Sequence, residues 1–252
     1  MRKTRIIPQL LIHEEGVYKT TKFSNPNYIG DPINTIKLFN ELEADEIVIV
    51  DIDTTKKNSE LDYDFIEEIV SEAFMPVTYG GGIKSIKDAK LVLQCGVEKI
   101  LINNLFIKNP EIIMNIQSEI GSQSIVVSID VFRDKDNSLV LYDYVKCCNT
   151  NILLLDAAIQ AENLGAGELL ITSVNHDGTY RGLDLEILNA LNNKIKVPII
   201  ISGGASSKED FIDAQKHGAS GIAAGSMFIY HGKNRGILIN YPKQSELNKI
   251  LE

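Results

Sequence analysis

Pro76-Val77-Thr78-Tyr79-Gly80-Gly81-Gly82-Ile83 is a short β-rich run that breaks into three glycines, and Ser85-Ile86-Lys87-Asp88 then opens a capped helical pattern. Pro198-Ile199-Ile200-Ile201-Ser202-Gly203-Gly204-Ala205 repeats the arrangement 122 residues later, followed by Ser206-Ser207-Lys208-Glu209. Glycines at such a turn let bare backbone N–H groups approach an anion, and a helix start adds a favourable dipole. One such turn is a weak signal; two with matching surroundings are a strong one. The offset holds on both sides, with Ala44-Asp45-Glu46 against Ala166-Gly167-Glu168, Gly96-Val97 against Gly218-Ala219, and Asn103-Asn104 against Gly225-Ser226. The chain therefore reads as two similar halves.

Outward from the glycine turns, eight short and almost continuously apolar runs alternate with eight helical patterns. The strand-like runs are at Arg5–Leu11, Ile47–Ile52, Pro76–Tyr79, Lys99–Ile102, Ser124–Asp130, Glu168–Thr172, Val197–Ile201 and Gly221–Ala224. Runs of this kind suit strands buried on both faces of a parallel sheet. The alternation predicts an α/β fold, a single (β/α)8 TIM barrel over residues 1–252 with an internal two-fold half-barrel repeat. A doubly wound open sheet is the competitor, and the repeat favours closure. Two connections are long, about His13 to Asp31 and Val131 to Thr150. In a barrel both lie at the carboxyl ends of the strands, where we expect them to act as mobile lids.

Composition narrows the function classes. A chain of 252 residues with 44% hydrophobic content is long enough for one large core. Its net charge of −9 argues against nucleic acid or an anionic membrane as partner, so any phosphate site must be local. No apolar run reaches membrane-spanning length, and the basic start Met1-Arg2-Lys3-Thr4-Arg5 lacks the apolar segment of a signal peptide. Cys95, Cys147 and Cys148 give no disulfide framework and no zinc spacing. A cytoplasmic protein without metal or cofactor is expected.

The barrel reading distributes the polar residues between its two ends. Gly82, Asn103 and Asn104 fall after strands three and four; Gly204, Gly225 and Ser226 fall after strands seven and eight, with Asp177-Gly178 after strand six. Each group either permits a tight βα turn or cradles a phosphate, and the pair suggests a ligand with phosphates at opposite ends. Asp51 and Asp130 end strands two and five, where a carboxylate can serve as general acid or base. Asp53 and Asp62 read as caps. Lys19, in the first long connection, either closes over a phosphate or is a solvated lysine. The four histidines show no pairing with a nucleophile and no metal-ligand spacing. At the opposite end Arg5, Glu46, Lys99 and Glu168 would form an alternating ring of charge, either a salt-bridge plug or a gate.

Arg5-Ile6-Ile7-Pro8, Gly30-Asp31-Pro32, Ala44-Asp45-Glu46, Gly80-Gly81-Gly82-Ile83, the Gly121–Asp130 run, Gly165-Ala166-Gly167-Glu168 and His176-Asp177-Gly178-Thr179 resemble the cyclase subunit of imidazole glycerol phosphate synthase. The resemblance implies a (β/α)8 barrel that takes ammonia from a glutaminase subunit docked on its amino-terminal face. Ammonia then reacts with a bisphosphorylated ribonucleotide to give imidazole glycerol phosphate and aminoimidazole carboxamide ribotide. It also implies that Arg5, Glu46, Lys99 and Glu168 form the ammonia gate. Phosphate contacts would come from Gly82, Asn103 and Asn104, and from Asp177, Gly178, Gly204 and Ser226, with Lys19, Asp51 and Asp130 also matching. One position departs: the first catalytic aspartate of the family falls on Leu11, in Gln9-Leu10-Leu11.

Lys22–Asn34, Ala223–Phe228 and Leu238–Pro242 are similar to a paralogous branch, the glycosyl amidation-associated proteins of surface-polysaccharide gene clusters. That similarity implies a glutaminase partner and a sugar amidotransferase that uses the ammonia on an acetamido sugar. Three functions follow as expectations: an ammonia-conducting barrel, a true cyclase in which Asp51 replaces the missing acid, and a non-catalytic activator of a glutaminase.

Overall fold

The computed structural model describes residues 4–232 and 234–251, so the basic Met1-Arg2-Lys3 start lies outside the described residues. In chain order the main elements are β1 (Arg5–His13), β2 (Gly16–Thr21), β3 (Ser24–Gly30), α1 (Pro32–Glu41), β4 (Ile47–Asp51), α2 (Thr54–Lys57), α3 (Tyr63–Ser71), β5 (Val77–Gly80), α4 (Ile86–Gln94) and β6 (Lys99–Ile102). They continue with α5 (Asn104–Lys108), α6 (Ile112–Ile120), β7 (Ile125–Arg133), β8 (Leu139–Asp143), β9 (Cys148–Leu153), α7 (Leu154–Asn163) and β10 (Glu168–Ser173). The chain closes with α8 (Leu185–Leu191), β11 (Ile199–Ser202), α9 (Lys208–Lys216), β12 (Gly221–Ala224), α10 (Ser226–Ile229), the short β13 (Tyr230–His231) and β14 (Gly236–Ile237), and α11 (Gln244–Ile250).

Eight strands pair in parallel in the order β10-β11-β12-β1-β4-β5-β6-β7, and β7 pairs with β10 to close the cylinder. The expected (β/α)8 barrel is therefore present. Strand alternation sends one set of side chains inward and the other against the helices. Ile7, Val48, Leu101, Val126, Leu170, Ile200 and Ala223 form the inner apolar layer, whereas Ile6, Ile47, Ile49, Ile100, Ile125, Val127 and Leu169 pack under the helices. The repeat is visible in the elements. β5 and β11, β6 and β12, and α4 and α9 are each offset by 122 residues. Ser85 and Ser207 cap α4 and α9 at the same offset, Ser85 accepting from Asp88 N and Ser207 within a capping box with Asp210.

The two long connections, expected to act as mobile lids, contain strands that extend the sheet. After β1 the chain turns back as antiparallel β2, paired with β1 through Leu11↔Tyr18, and β3 pairs with β2 in turn. After Asp130, β7 runs three residues further and pairs with β8, which pairs with β9. Both connections are antiparallel ladders at the barrel rim, with β3 and β9 as their outer edges. The second is also bolted down, because Arg133 binds Asp184 through two contacts of 2.8 and 2.7 Å and its N–H donates to Asn175 Oδ1.

Candidate functional site: the barrel mouth and the collar beneath it

At the amino-terminal end, Arg5, Glu46, Lys99 and Glu168 point inward and pair as a closed ring. Arg5 contacts Glu46 at 2.5 Å and also binds Glu168, while Lys99 Nζ stands 3.2 Å from both Glu46 and Glu168. Thr78 Oγ1 donates to Glu46 at 2.9 Å. Burial alone would make the Arg5 guanidinium easier to deprotonate, but its bonds to Glu168 and Glu46 outweigh that and hold it charged. Above this collar lies the inner apolar layer, and above that a polar one containing Gln9, Ser128, Thr172 and Ser202, with Ser202 Oγ donating to Gln9 Oε1 at 2.7 Å.

The mouth holds two adjoining cavities. The larger, about 300 Å3, is lined by Leu11, Asp51, Gly82, Asn103, Asn104 and Asp130 among others. The smaller, about 50 Å3, is lined by Lys19, Asp177, Gly178, Gly204, Gly225 and Ser226 among others. Gln9, Leu11, Thr20, Phe23 and Thr172 border both. Each half of the expected phosphate set is thus gathered around its own cavity.

Asp130 is buried and lies next to Asn103, whose Nδ2 donates to its carboxylate at 3.0 Å and to Ser128 O at 3.1 Å. Burial pushes the Asp130 carboxyl up to about 7; the Asn103 bond opposes that and the nearby Asp177 charge adds to it. A carboxyl near neutrality both gives and takes protons. Leu11 lines the same cavity, two residues beyond Gln9 and four beyond the inward Ile7. Asn103 Oδ1 and Asn104 Nδ2 are buried there without a hydrogen-bond partner. An orphaned amide group of this sort costs about 1–3 kcal/mol, which a polar ligand recovers.

Asp51 also borders the cavity, yet its carboxylate is engaged by its own loop. Oδ1 accepts from the Asp53 and Thr54 backbone N–H groups at 2.8 and 2.9 Å, and Oδ2 accepts from Thr54 Oγ1 at 2.6 Å. Asp51 caps the turn that the sequence assigned to Asp53. Asp53 instead binds His13 Nδ1 at 2.7 Å, so His13 has a partner that the sequence reading did not give it. Asp62 does cap its helix, accepting from Phe65 N. The Gly82 N–H already donates to Thr55 Oγ1 at 2.9 Å.

Lys19 is not a solvated lysine. It is 5% exposed on β2, its Nζ donates to Gln9 O, and burial lowers its amine to about 8 against the opposing pull of Asp177. Asp177 accepts from Thr20 Oγ1 and Phe23 N, and burial raises its carboxyl despite those bonds. His176 Nδ1 pairs with Gly182 O and holds the neighbouring turn. Three wall residues escaped the sequence reading: Phe23, Tyr144 and Tyr180, the last donating its hydroxyl to Ser226 O at 2.7 Å. No periodicity marks them, because they sit in hairpins and turns. Among the described residues no cluster of three or more His, Cys, Asp or Glu could hold a metal, and no helix is long and apolar enough to cross a membrane.

Comparison with known proteins agrees with this architecture. The model of a family described as histidine biosynthesis protein matches residues 5–235. The chain is 40% identical over 257 residues to hisF3 of Vibrio vulnificus, a provisionally named imidazole glycerol phosphate synthase subunit, covering 100% of this chain and 98% of that one. It is 38% identical over 231 residues to the imidazole glycerol phosphate synthase subunit HisF of Streptococcus mutans, covering 91% and 92%. It is 37% identical over 254 residues to that of Lachnoclostridium phytofermentans, covering 100% and 98%. The barrel, its repeat and these relatives agree: the chain belongs to the histidine biosynthesis protein family, among its HisF-like barrels.

Proposed function

We infer that this barrel receives ammonia from a glutaminase subunit at its collar face and delivers it to an acceptor at its mouth, serving glutamine-dependent amidation of an acetamido sugar in surface-glycan synthesis. One observation carries the reading: the charged collar is complete, while the residue that shares the mouth cavity with Asp130 at the end of β1 is Leu11. Leucine moves no proton, and a general acid–base group contributes typically 10²–10⁴-fold to such a step. Asp51 gives no substitute, since both its oxygens hold the 51–54 turn. A barrel that keeps its inlet and lacks half of its proton chemistry fits a conduit.

On this reading Arg5, Glu46, Lys99 and Glu168 admit neutral ammonia and reject ions, and the apolar layer of Ile7, Val48 and Leu101 keeps water from following. Gly82, Asn103 and Asn104 would hold one anionic group, and Gly178, Gly204, Gly225 and Ser226 another. The second reading, a true cyclase, is favoured by Asp130, whose carboxyl near 7 suits acid–base work. The test is to supply the bisphosphorylated ribonucleotide with ammonium salt, and separately to add a glutaminase subunit of the same organism together with glutamine. Negligible ring closure with stimulated glutamine hydrolysis and ammonia release at the mouth supports the conduit. Turnover like that of an ordinary cyclase overturns it; stimulation without ammonia transfer leaves a scaffold.

A further inference from the structure

Cys147 and Cys148 are adjacent, free and exposed, and they close the turn between β8 and β9 at the barrel rim. Asp143, buried at the start of that turn, accepts from the Val145 and Lys146 N–H groups at 3.0 and 3.1 Å. Cys147 ends it at φ 53°, its Sγ donating to Tyr144 O at 3.3 Å. The Tyr144 ring walls the larger cavity, and its hydroxyl is hydrogen-bonded to Thr55, whose Oγ1 accepts the Gly82 N–H at 2.9 Å. The Cys147 thiol therefore ties down the main chain of a residue that shapes the mouth. Tyr142 hydrogen-bonds to the same thiol through its hydroxyl, and its ring lies 6.1 Å from both Phe132 and Phe23, the latter on the opposite rim hairpin.

Two features set the chemistry of the pair. Adjacent Cα atoms across a trans peptide stand about 3.8 Å apart, below the roughly 4.4 Å at which ordinary disulfides begin. A bond between these two sulfurs is strained, so it forms only against an oxidising pool of small disulfides and is readily reversed. Lys146 Nζ, 3.4 Å from Asp143 Oδ2, and Lys56 Nζ, 5.4 Å from the Tyr144 ring centre, place positive charge around the turn. Such a setting draws an anionic disulfide.

The structure assigns to Cys147 and Cys148 the role of a redox-responsive dithiol: exchange with a small anionic disulfide joins their sulfurs and frees the turn from the mouth wall. One cysteine, as thiolate, attacks a sulfur of the small disulfide. That S–S bond breaks, and one half leaves as a thiolate that takes up the cysteine's proton. The second cysteine, also as thiolate, then attacks the mixed disulfide, forms the Sγ–Sγ bond and expels the other half, again as a thiol. The pair loses two electrons and two protons, and the small disulfide gains both. Once joined to Cys148, Cys147 has no proton to donate to Tyr144 O, and the left-handed turn it closes must open. Tyr144 then slackens its hold on Thr55, and Thr55 its hold on the Gly82 N–H. Nothing in this step depends on ammonia or on a ligand at the mouth.

Glutathione disulfide is the probe. The full chain is equilibrated with set ratios of glutathione disulfide and glutathione, quenched in acid, and read by intact mass and peptide mapping. We expect two hydrogens to be lost from the one peptide that carries Cys147 and Cys148, with full reversal by glutathione alone. Cys95, half-buried and bonded to Tyr63 O and Leu91 O, should stay a thiol. On oxidation, amide exchange in segments 53–58 and 80–84 should quicken about tenfold. Cys148→Ser should stop at a stable glutathione adduct on Cys147, and the double variant with Cys147→Ser should show no change in exchange under the same disulfide. A parent chain that keeps the adduct, or that links to a second chain instead, overturns the ring. A ring that forms while exchange at 53–58 and 80–84 stays the same overturns its control of the mouth.

Discussion

Asn103 Nδ2 donates to the Asp130 carboxylate at 3.0 Å, which couples a residue of the larger anion cavity directly to the acid at the end of β7. That single bond does not offset the burial of Asp130, whose carboxyl stays raised to about 7. In the unfolded chain an aspartate titrates near 4. Between about pH 4 and 7 the folded state therefore binds more protons than the unfolded one, so stability falls as pH rises across that window. Asp130→Asn keeps the shape and an acceptor for Asn103 without the charge. Thermal melts should show it stabilised by about 2–4 kcal/mol at pH 8 and nearly unchanged at pH 4. Equal effects at both pH values would mean that folding does not raise the Asp130 carboxyl.

The collar makes an opposite kind of prediction. Lys99 neutralises Glu46 and Glu168, whose side chains are only 4% and 8% exposed. Lys99→Met leaves two largely buried carboxylates sharing Arg5. Removing one partner of a buried pair costs about 3–5 kcal/mol, and the 17% exposure of Lys99 lowers that to about 1–3 kcal/mol. Adding Glu168→Gln should restore most of the loss, since the remaining ions are then one to one. Urea unfolding of the two single variants and the double variant measures this coupling.

Two glycines separate backbone need from ligand need. Gly81 has φ of 107°, and a Cβ there would stand 2.2 Å from the backbone oxygen of Asp51. Gly81→Ala should cost about 3 kcal/mol or more, combining strain with an immovable neighbour. Gly225 has φ of −109°, and its nearest obstacle is the flexible end of Lys19. Gly225→Ala should fold within about 1 kcal/mol of the parent, yet lose protection by millimolar phosphate in a melting assay. Retained protection would remove Gly225 from the anion cradle.

The barrel was legible because its signal is redundant. The same glycine turn, cap and strand recur at a constant offset, so Gly81 and Gly203 share positive φ and Ser85 and Ser207 share a capping role. The hairpins were not legible. In β3, Asn25, Pro26 and Asn27 are turn-forming types on an exposed ladder, Asn25 bulging at φ 55°, and the strand is held by pairs such as Asn27↔Lys19 and Tyr28↔Tyr18 rather than by their own preference. Lys19 was named as a phosphate contact or a solvated lysine, and the sequence could not choose between them, because its burial follows only once β2 is folded over Gln9. Asp51 looked free because the loop donors that engage it, at Asp53 and Thr54, carry no pattern that announces their direction.

Leu11 is where the functional reading is most exposed to experiment. It pairs with Val50 of the neighbouring strand β4 and borders the cavity that holds Asp130, Asn103 and Asn104. Leu11→Asp places a carboxyl in that cavity, beside the polar layer of Gln9 and Thr172 rather than within the apolar one. The added group is partly buried near Asp130, so it should cost about 1–3 kcal/mol at pH 8 and less at pH 5, where it is protonated. If the absent acid is what separates this barrel from a cyclase, the variant should raise ring closure of the bisphosphorylated ribonucleotide with ammonium by about 10²–10⁴-fold. Lys99→Met, which touches only the collar, should leave that ammonium-driven rate unchanged. A Leu11→Asp protein that folds, binds phosphate and still does not turn over would place the lost activity elsewhere in the mouth, in the β8–β9 hairpin or in the engaged carboxylate of Asp51.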